Sequence, residues 1–198
     1  MFVTFEGLDG SGKTTQAELL VESLREAGRD VVATREPGGT PLGEEVRRLL
    51  LEGMEMSPWA EAALFAAART ELVDRVIGPA LYAGQDVVSD RYVDSSLAYQ
   101  GFARDLGIEE VYELNRVATR NLLPDFTFVL EIDPDTSAER VGKSPDRIER
   151  EGREFRQRVA DGYRIVAGKY ADRVVLLDGT RPPDQLHEEI RGHLREHL

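Results

Sequence analysis

A chain of 198 residues is long enough for one α/β domain with a sizeable core, and it is short for two. Its formal net charge of −12 argues against nonspecific nucleic-acid binding, which needs a basic face. The chain has no cysteine, which excludes disulfides and thiolate metal sites, and no apolar stretch approaches the ~20 residues that span a bilayer. These properties fit a cytoplasmic protein and leave open a small phosphorylated ligand, which needs only a local cluster of cations.

Short β-rich apolar runs alternate with longer helical patterns along the chain. The runs predict strands over Phe2–Glu6, Asp30–Arg35, Asp86–Ser89, Asp125–Ile132 and Val174–Asp178. The other patterns predict helices over Lys13–Ala27, Gly43–Gly53, Pro58–Ala83, Asp94–Phe102, Ile108–Asn121, Thr136–Val141, Glu154–Tyr170 and Asp184–His197. Such alternation is typical of a parallel sheet with helices on both faces. We therefore predict one domain over residues 1–198, with ligands beyond the carboxyl ends of its strands.

The first predicted strand leads into a glycine-rich loop. Residues Gly7-Leu8-Asp9-Gly10-Ser11-Gly12-Lys13-Thr14 match G-x-x-x-x-G-K-[ST] in full. Glycines let successive N–H groups wrap around a phosphate, and the helix that begins near Lys13 adds its positive N-terminal dipole. In this motif the lysine reaches the β and γ phosphates and the hydroxyl of the next residue ligates Mg²⁺. The segment Gly7 to Thr15 therefore predicts a site for ATP and Mg²⁺.

The remainder of the chain favours a kinase over other proteins with this loop. A guanine-specific GTPase needs an N-K-x-D segment, but Asn115 and Asn121 are followed by Arg and Leu. A motor or assembly ATPase usually carries more than one domain of this size. A small-molecule kinase needs cations at the carboxyl edge of the sheet and a flap that excludes water. The candidate cations are Arg35, Arg69, Arg91, Arg140, Lys143 and Arg147.

Five further segments resemble bacterial thymidylate kinases in their order and spacing. They are Arg35-Glu36-Pro37-Gly38-Gly39-Thr40, Leu64-Phe65-Ala66-Ala67-Ala68-Arg69, Asp90-Arg91-Tyr92, Tyr99-Gln100-Gly101 and Asp146-Arg147-Ile148-Glu149. The resemblance covers essentially the whole chain. It implies a three-layer P-loop kinase fold, with a parallel sheet of about five strands, helices on both faces and a short lid near residues 140–153. It also implies a homodimer that transfers the γ-phosphoryl group of ATP to dTMP.

The resemblance implies which side chains bind the base and the sugar of dTMP. Phe65 and Arg69 are four residues apart and share a helical face, from which Phe65 stacks on thymine and Arg69 donates to its carbonyl. Ser96 and Gln100 lie near the base. Tyr99 packs under the sugar, where its ring excludes a 2′-hydroxyl and selects deoxyribose.

Other side chains are expected at the phosphates and the metal. By resemblance, Asp9 contacts the deoxyribose 3′-hydroxyl, Arg35 shapes the acceptor pocket, and Arg91 grips the acceptor phosphate, a task that favours a bidentate fork. Asp90 follows an apolar run, and a carboxylate at the end of a strand can hold Mg²⁺ or its water shell, together with Thr14.

The lid is expected to help catalysis, because no Arg or Lys occupies positions 8 to 11 to stabilise the transferring phosphoryl group. The nucleophile is a phosphate oxygen that is largely ionised at neutral pH, so no strong general base is required. The expected catalytic residues are Asp9, Lys13, Arg91, Arg140, Lys143 and Arg147.

Two alternatives stay open at this point. The first is a P-loop kinase whose acceptor is another nucleoside monophosphate, since thymidylate is favoured only through the resemblance. The second is a nucleotide-dependent switch without acceptor chemistry, which Arg91 and the basic residues near 140–147 speak against.

Overall fold

The computed structural model describes residues 1–141 and 146–195, apart from the side chain of Glu149. A five-stranded sheet occupies its centre, and its strands β1 to β5 are Phe2–Glu6, Val31–Arg35, Asp86–Asp90, Phe126–Glu131 and Val174–Asp178. The strand order is β2-β3-β1-β4-β5, and every neighbouring pair is parallel. The five predicted strands are thus confirmed. The central strand β1 is wholly buried, whereas the edge strand β2 is partly exposed.

Helices connect the strands across both faces of the sheet. Helices α1 to α9 are Lys13–Glu26, Pro41–Glu52, Pro58–Leu72, Gly78–Tyr82, Val93–Ser96, Ile108–Ala118, Pro134–Val141, Arg153–Lys169 and Pro183–Leu194. Two π-helical turns, Val73–Ile77 and Leu97–Ala103, and one 3₁₀ turn, Glu149–Glu151, accompany them. None of the helices in the described ranges combines the length and apolarity that a membrane span requires.

The two π-helical turns divide helices that the sequence predicts as continuous. Within the predicted helix Pro58–Ala83, the Gly78 N–H donates to the carbonyl of Val73, five residues earlier. Pro79 follows and has no N–H to donate, so the regular series of helical hydrogen bonds is interrupted at this point. The predicted helix Asp94–Phe102 becomes α5 and the second π turn. π turns are frequent at functional sites, and the second turn carries two of the predicted acceptor residues.

One helix ends clearly earlier than predicted. The helix predicted to end at Asn121 stops at Ala118, because Arg120 and Asn121 adopt left-handed backbone angles with φ of 52° and 61°. The last helix is predicted to reach His197, which lies outside the described residues, and its described part ends at Leu194.

The core lies on both faces of the sheet. On one face, Phe5 and Phe128 pack against α1 and α9 through residues such as Leu20 and Ile190. On the other face, Phe2, Val87 and Val129 pack against the π turns, α6 and α8. This arrangement confirms three layers, and it leaves the carboxyl ends of β1, β2 and β3 side by side at one edge.

A buried ion pair connects helix α5 to the sheet. Arg173, which precedes β5, donates two hydrogen bonds of 2.7 and 2.8 Å to the carboxylate of Asp94 at the start of α5. Asp94 is fully buried and also accepts from Thr127 of β4. Removing one partner from such a pair leaves an uncompensated buried charge.

We therefore expect Arg173→Met to lower the free energy of unfolding by about 3–5 kcal/mol. The matched control is Arg48→Met, which removes an exposed arginine paired with Glu45 and should cost less than about 1 kcal/mol. Urea unfolding followed by circular dichroism measures both. Equal losses in the two variants would contradict the structural role of the Asp94–Arg173 pair.

Candidate active site

The phosphate loop is held in its wrapped shape by two glycines that admit no side chain. Gly7 has φ of 132°, and a Cβ there would lie 2.4 Å from the carbonyl oxygen of Leu130. Gly10 has φ of 77°, and a Cβ there would lie 2.7 Å from the Cβ of Arg140. The predicted loop therefore needs glycine for both conformation and space.

Lys13 lies inside this loop with only 6% of its side chain exposed. Its Nζ donates to the carbonyl of Leu8 at 2.8 Å and lies 3.8 Å from Oδ1 of Asp9. Burial, with the charge of Arg91, lowers the pKa of Lys13 to about 8, against the opposing effect of Asp9. Negative charge from a bound phosphate would raise this pKa again.

The pairing of β1 with β3 brings the predicted metal residues into contact. Asp90 ends β3 opposite Phe5 of β1, and its Oδ2 accepts a hydrogen bond of 2.6 Å from the hydroxyl of Thr14. The described residues contain no cluster of three or more His, Cys, Asp or Glu side chains that could hold a metal by themselves. One hydroxyl and one carboxylate suit Mg²⁺, which keeps several waters and takes further ligands from substrate phosphates.

Arg91 projects from β3 toward the phosphate loop. Its backbone is left-handed, with φ of 73°, which is uncommon outside glycine. The guanidinium donates to Oδ1 of Asp9 and, through Nη1, to the carbonyl of Gly7, the hydroxyl of Ser95 and the hydroxyl of Tyr163, each at 3.1 Å. Partial burial would raise the pKa of Asp9, but the charges of Arg91 and Lys13 outweigh it and lower that pKa to about 2.

Two cavities meet at this arginine. The larger, called the phosphate cleft below, has a volume of about 1240 Å³ and runs past Lys13, Thr14 and Asp90. The smaller, called the inner cavity, is lined by the predicted residues Phe65, Ser96, Tyr99 and Gln100, among others. Residues that line both cavities are Asp9, Glu36, Arg47 and Arg91.

Arg69 lies behind the inner cavity and is 1% exposed. It donates to both carboxylate oxygens of Glu36, to the hydroxyl of Ser96, to the side chain of Asn115 and to the carbonyl of Tyr92. These bonds use all the N–H groups of a guanidinium. These contacts hold Glu36 and Ser96 in place, and the expected bond from Arg69 to the thymine carbonyl stays a prediction.

Arg35 and Arg47 occupy the mouth of the site. Arg35 lines the phosphate cleft and is bound to Glu44 at 2.9 Å, so it does not reach the inner cavity as expected of an acceptor residue. Arg47 takes that position: it lines both cavities and donates to the carbonyl of Pro37 at 3.0 Å. The sequence offered no motif around Arg47, which reaches this position from the second turn of α2.

Comparison with known proteins agrees with this geometry. Residues 5–190 match the family model described as "Thymidylate kinase". The chain is 47% identical over 194 residues to the thymidylate kinase of Pelotomaculum thermopropionicum, covering 96% of this chain and 90% of that protein. It is 43% identical over 199 residues to the thymidylate kinase of Caldanaerobacter subterraneus subsp. tengcongensis, covering 100% and 96%. The crystal structure of thymidylate kinase from Ehrlichia chaffeensis superposes with a TM-score of 0.81 at 36% identity and covers 98% of both chains.

The chain belongs to the thymidylate kinase family. It is an enzyme, a nucleoside monophosphate kinase with ATP as phosphate donor and dTMP as acceptor. The P-loop kinase fold inferred from the sequence is confirmed by the parallel sheet and by the structural match.

The sequence predicts that cations near residues 140–147 assist catalysis, because no Arg or Lys occupies positions 8 to 11. Arg140 lines the phosphate cleft, and its Nη1 donates to the carbonyl of Gly10 at 3.1 Å. Arg147 lies elsewhere: it is 3% exposed, binds Glu61 at 2.6 Å and lines neither cavity. A buried carboxylate neutralises Arg147 in this position, and its expected catalytic role stays a prediction. Lys143 lies outside the described residues.

Sequence reasoning missed Glu6, a fully buried carboxylate directly before Gly7. It accepts hydrogen bonds from the Tyr92 N–H at 2.7 Å, from the Ser95 hydroxyl and from the Tyr163 hydroxyl at 3.0 Å. These groups surround Arg91, so Glu6 supports the arginine from behind. A carboxylate that ends a wholly buried strand was the signal available in the sequence. Burial, with the charge of Asp94, raises the pKa of Glu6 to about 7.

The raised pKa of Glu6 predicts a dependence of stability on pH. The folded protein binds this proton more tightly than the unfolded chain, so the contribution of Glu6 to stability is full below pH 4.5 and falls as the pH rises through 7. Relative to Glu6→Gln, the wild type should lose up to roughly 3 kcal/mol of unfolding free energy between pH 4.5 and 7.5. Urea unfolding of both proteins across this range measures the difference, and a constant difference would contradict the assignment.

Proposed function

We propose that the γ-phosphoryl group passes from ATP to dTMP where the phosphate cleft meets the inner cavity. One observation carries this proposal: Asp9 and Arg91 line both the phosphate cleft and the inner cavity. They therefore lie between the phosphate loop and the predicted acceptor residues. ATP places its phosphates in Gly7–Thr15, and dTMP extends from the inner cavity toward Arg91. The reaction is ATP + dTMP → ADP + dTDP, an in-line transfer to a 5′-phosphate oxygen.

Positioning and charge provide the catalysis in this proposal. The second pKa of a phosphate monoester is ~6, so the attacking oxygen is ionised without a general base. Lys13 neutralises the β and γ phosphates of ATP, and Arg91 holds the acceptor phosphate in line with them. Arg140, beside Gly10, is the described lid-side cation that lies at the phosphate cleft, while Lys143 stays a prediction.

Thr14 and Asp90 are the residues proposed to hold Mg²⁺. Their oxygen atoms already lie 2.6 Å apart at the base of the phosphate cleft. When bound, the ion would supply positive charge that neutralises charge developing on the transferring group. Thr14 and Asp90 would provide two oxygen ligands for it.

In the inner cavity, Phe65 is proposed to stack on thymine while Ser96 and Gln100 meet its polar edge. Tyr99 forms the side toward Arg91, whose guanidinium carbon lies 5.4 Å from the centre of the tyrosine ring. We expect this ring to exclude a 2′-hydroxyl and thereby to select deoxyribose.

The first test is ADP formation by the purified protein with ATP and Mg²⁺, comparing dTMP, dUMP, dGMP, CMP and UMP at equal concentration. We expect turnover with dTMP far above the others, and a loss of 10²-fold or more in Lys13→Ala because a phosphate-binding cation disappears. Lys169→Ala is the matched control, since Lys169 pairs with Glu109 at the end of α8 and should leave activity unchanged.

Each other outcome of this assay discards a specific part of the proposal. Preference for another nucleotide would keep the kinase chemistry and overturn the assignment of Phe65, Ser96 and Gln100 to thymine. ATP hydrolysis that ignores every acceptor would support a nucleotide-dependent switch instead.

The homodimer expected from the sequence needs an exposed apolar surface for its contact. Trp59, Ala63 and Ala67 are exposed at spacings of four residues on α3, and Val117 of the adjoining α6 is 70% exposed. Together these four residues form what we call the α3–α6 face. Burial of exposed apolar surface stabilises association. We therefore propose this face as the dimer contact.

Two other expectations from the sequence stay predictions, namely the cytoplasmic location and the single domain over residues 1–198.

A charge placed on the α3–α6 face should dissociate the dimer. We expect Val117→Glu to sediment as a monomer at micromolar concentration, where the wild type sediments as a dimer, because a desolvated carboxylate opposes association. Tyr82→Glu is the control: Tyr82 is 96% exposed on α4, outside this face, and its change should leave the dimer intact. Dimers of unchanged stability in Val117→Glu would exclude this face.

A further inference from the structure

One wall of the inner cavity comes from a segment far away in sequence. Asp146 and Ile148, which follow the undescribed residues 142–145, both line the cavity. Arg147 lies between them but lines neither cavity, and it is buried on the other side of the segment. The place of this wall therefore depends on what holds Arg147.

Three hydrogen bonds hold Arg147 against α2 and α3. Its N–H donates to the carbonyl of Leu51 at 2.9 Å, and its Nε donates to the carbonyl of Leu50 at 2.8 Å. Its Nη2 donates to Oε2 of Glu61 at 2.6 Å. Glu61 provides the only negative charge among these three partners, so it alone neutralises the buried guanidinium within this set.

Glu61 also holds a second wall of the same cavity. It is 1% exposed, and its Oε1 accepts from Nε2 of Gln100 at 2.9 Å. A carboxylate accepts hydrogen bonds but cannot donate them, so it selects the amide orientation that turns the nitrogen toward Glu61. The amide oxygen of Gln100 is then left for other partners.

A second arginine completes the network around this carboxylate. Arg104, which is 15% exposed, donates to Glu61 at 3.1 and 3.2 Å and also binds Glu151. Burial opposes ionisation of Glu61, but the hydrogen bonds from Gln100, Arg147 and Arg104 outweigh it and lower its pKa. Glu61 is therefore charged at neutral pH, and its contacts depend on that charge.

We propose that Glu61 is a positioning residue for the acceptor nucleotide, which holds Gln100 and the segment 146–148 in place as two walls of the inner cavity. Glu61 itself does not line either cavity, so it acts through these walls. The inference rests on the proposed function in one respect, namely that dTMP binds in the inner cavity. It predicts a defect that affects dTMP and leaves ATP largely unaffected.

The variant Glu61→Gln keeps the size of the side chain and removes the charge. We expect the KM for dTMP to rise on the order of tenfold or more, because a neutral amide cannot serve all three donors. The KM for ATP and kcat should stay within about threefold, since the phosphate loop is built without Glu61. The matched control is Asp74→Asn, a carboxylate paired with Arg120 on the surface, which should change none of these constants.

A second variant keeps the test decisive if Glu61→Gln does not fold. Arg147→Met removes the anchor of segment 146–148 while Glu61 retains Arg104 and Gln100, and it should raise the KM for dTMP in the same selective way. Because the two residues act as a unit, the double variant should be less impaired than the product of the single effects.

Three results would overturn the inference. They are an unchanged KM for dTMP in a folded variant, equal increases in KM for both substrates, and fully multiplicative effects in the double variant. Wild-type protein assayed in parallel separates this failure from failure of the proposed function, because wild type without dTMP-dependent turnover would overturn both at once.

Discussion

The parallel pairing of β1 with β3 fixes the distance between the phosphate loop and the Asp90-Arg91 pair, and the whole active site depends on this distance. Phe5 lies opposite Asp90 in this pair, and the Arg91 N–H donates to the Phe5 carbonyl at 2.9 Å. The loop that follows β1 and the Asp-Arg pair that ends β3 therefore start from adjacent backbone positions. Two segments about 80 residues apart in sequence become one site because main-chain hydrogen bonds, and not flexible side chains, set their separation.

Opposite charges around Arg91 prepare this site before any nucleotide arrives. Asp9 pairs with the guanidinium from the side of the loop, while Glu6 supports the surrounding hydroxyl groups from the interior. The raised pKa of Glu6 and the lowered pKa of Lys13 show that burial works against these charges. Hydrogen bonds and opposite charges offset this cost, which fits a site that must bind phosphate in a fixed orientation.

The sequence predicted the fold well because local signals decide it. Buried parallel strands appear as apolar runs. The phosphate loop appears as a glycine pattern, because Gly7 and Gly10 occupy positions that leave no space for a side chain. The π turns were not predictable in the same way. The change in hydrogen bonding at Gly78 depends on how Pro79 packs against the preceding turn.

The tasks of the arginines could not be read from the sequence. Motif position placed Arg69 and Arg147 in the site, but each is bound to a buried carboxylate, Glu36 in one case and Glu61 in the other. Those partners lie 33 and 86 residues away and approach only after the helices have packed. Arg47 shows the converse, because no motif marks it and yet it lines both cavities.

The partners of a buried cation therefore decide its task. Arg69 has every donor occupied by groups of the protein, so it stabilises the shape of the inner cavity, and its bond to a base stays a prediction. Arg91 differs because one of its partners is Asp9, which is 39% exposed and lies where the two cavities meet. The pairing with Asp9 therefore holds the guanidinium of Arg91 where the two cavities meet, which is the position that its proposed role toward the acceptor phosphate requires.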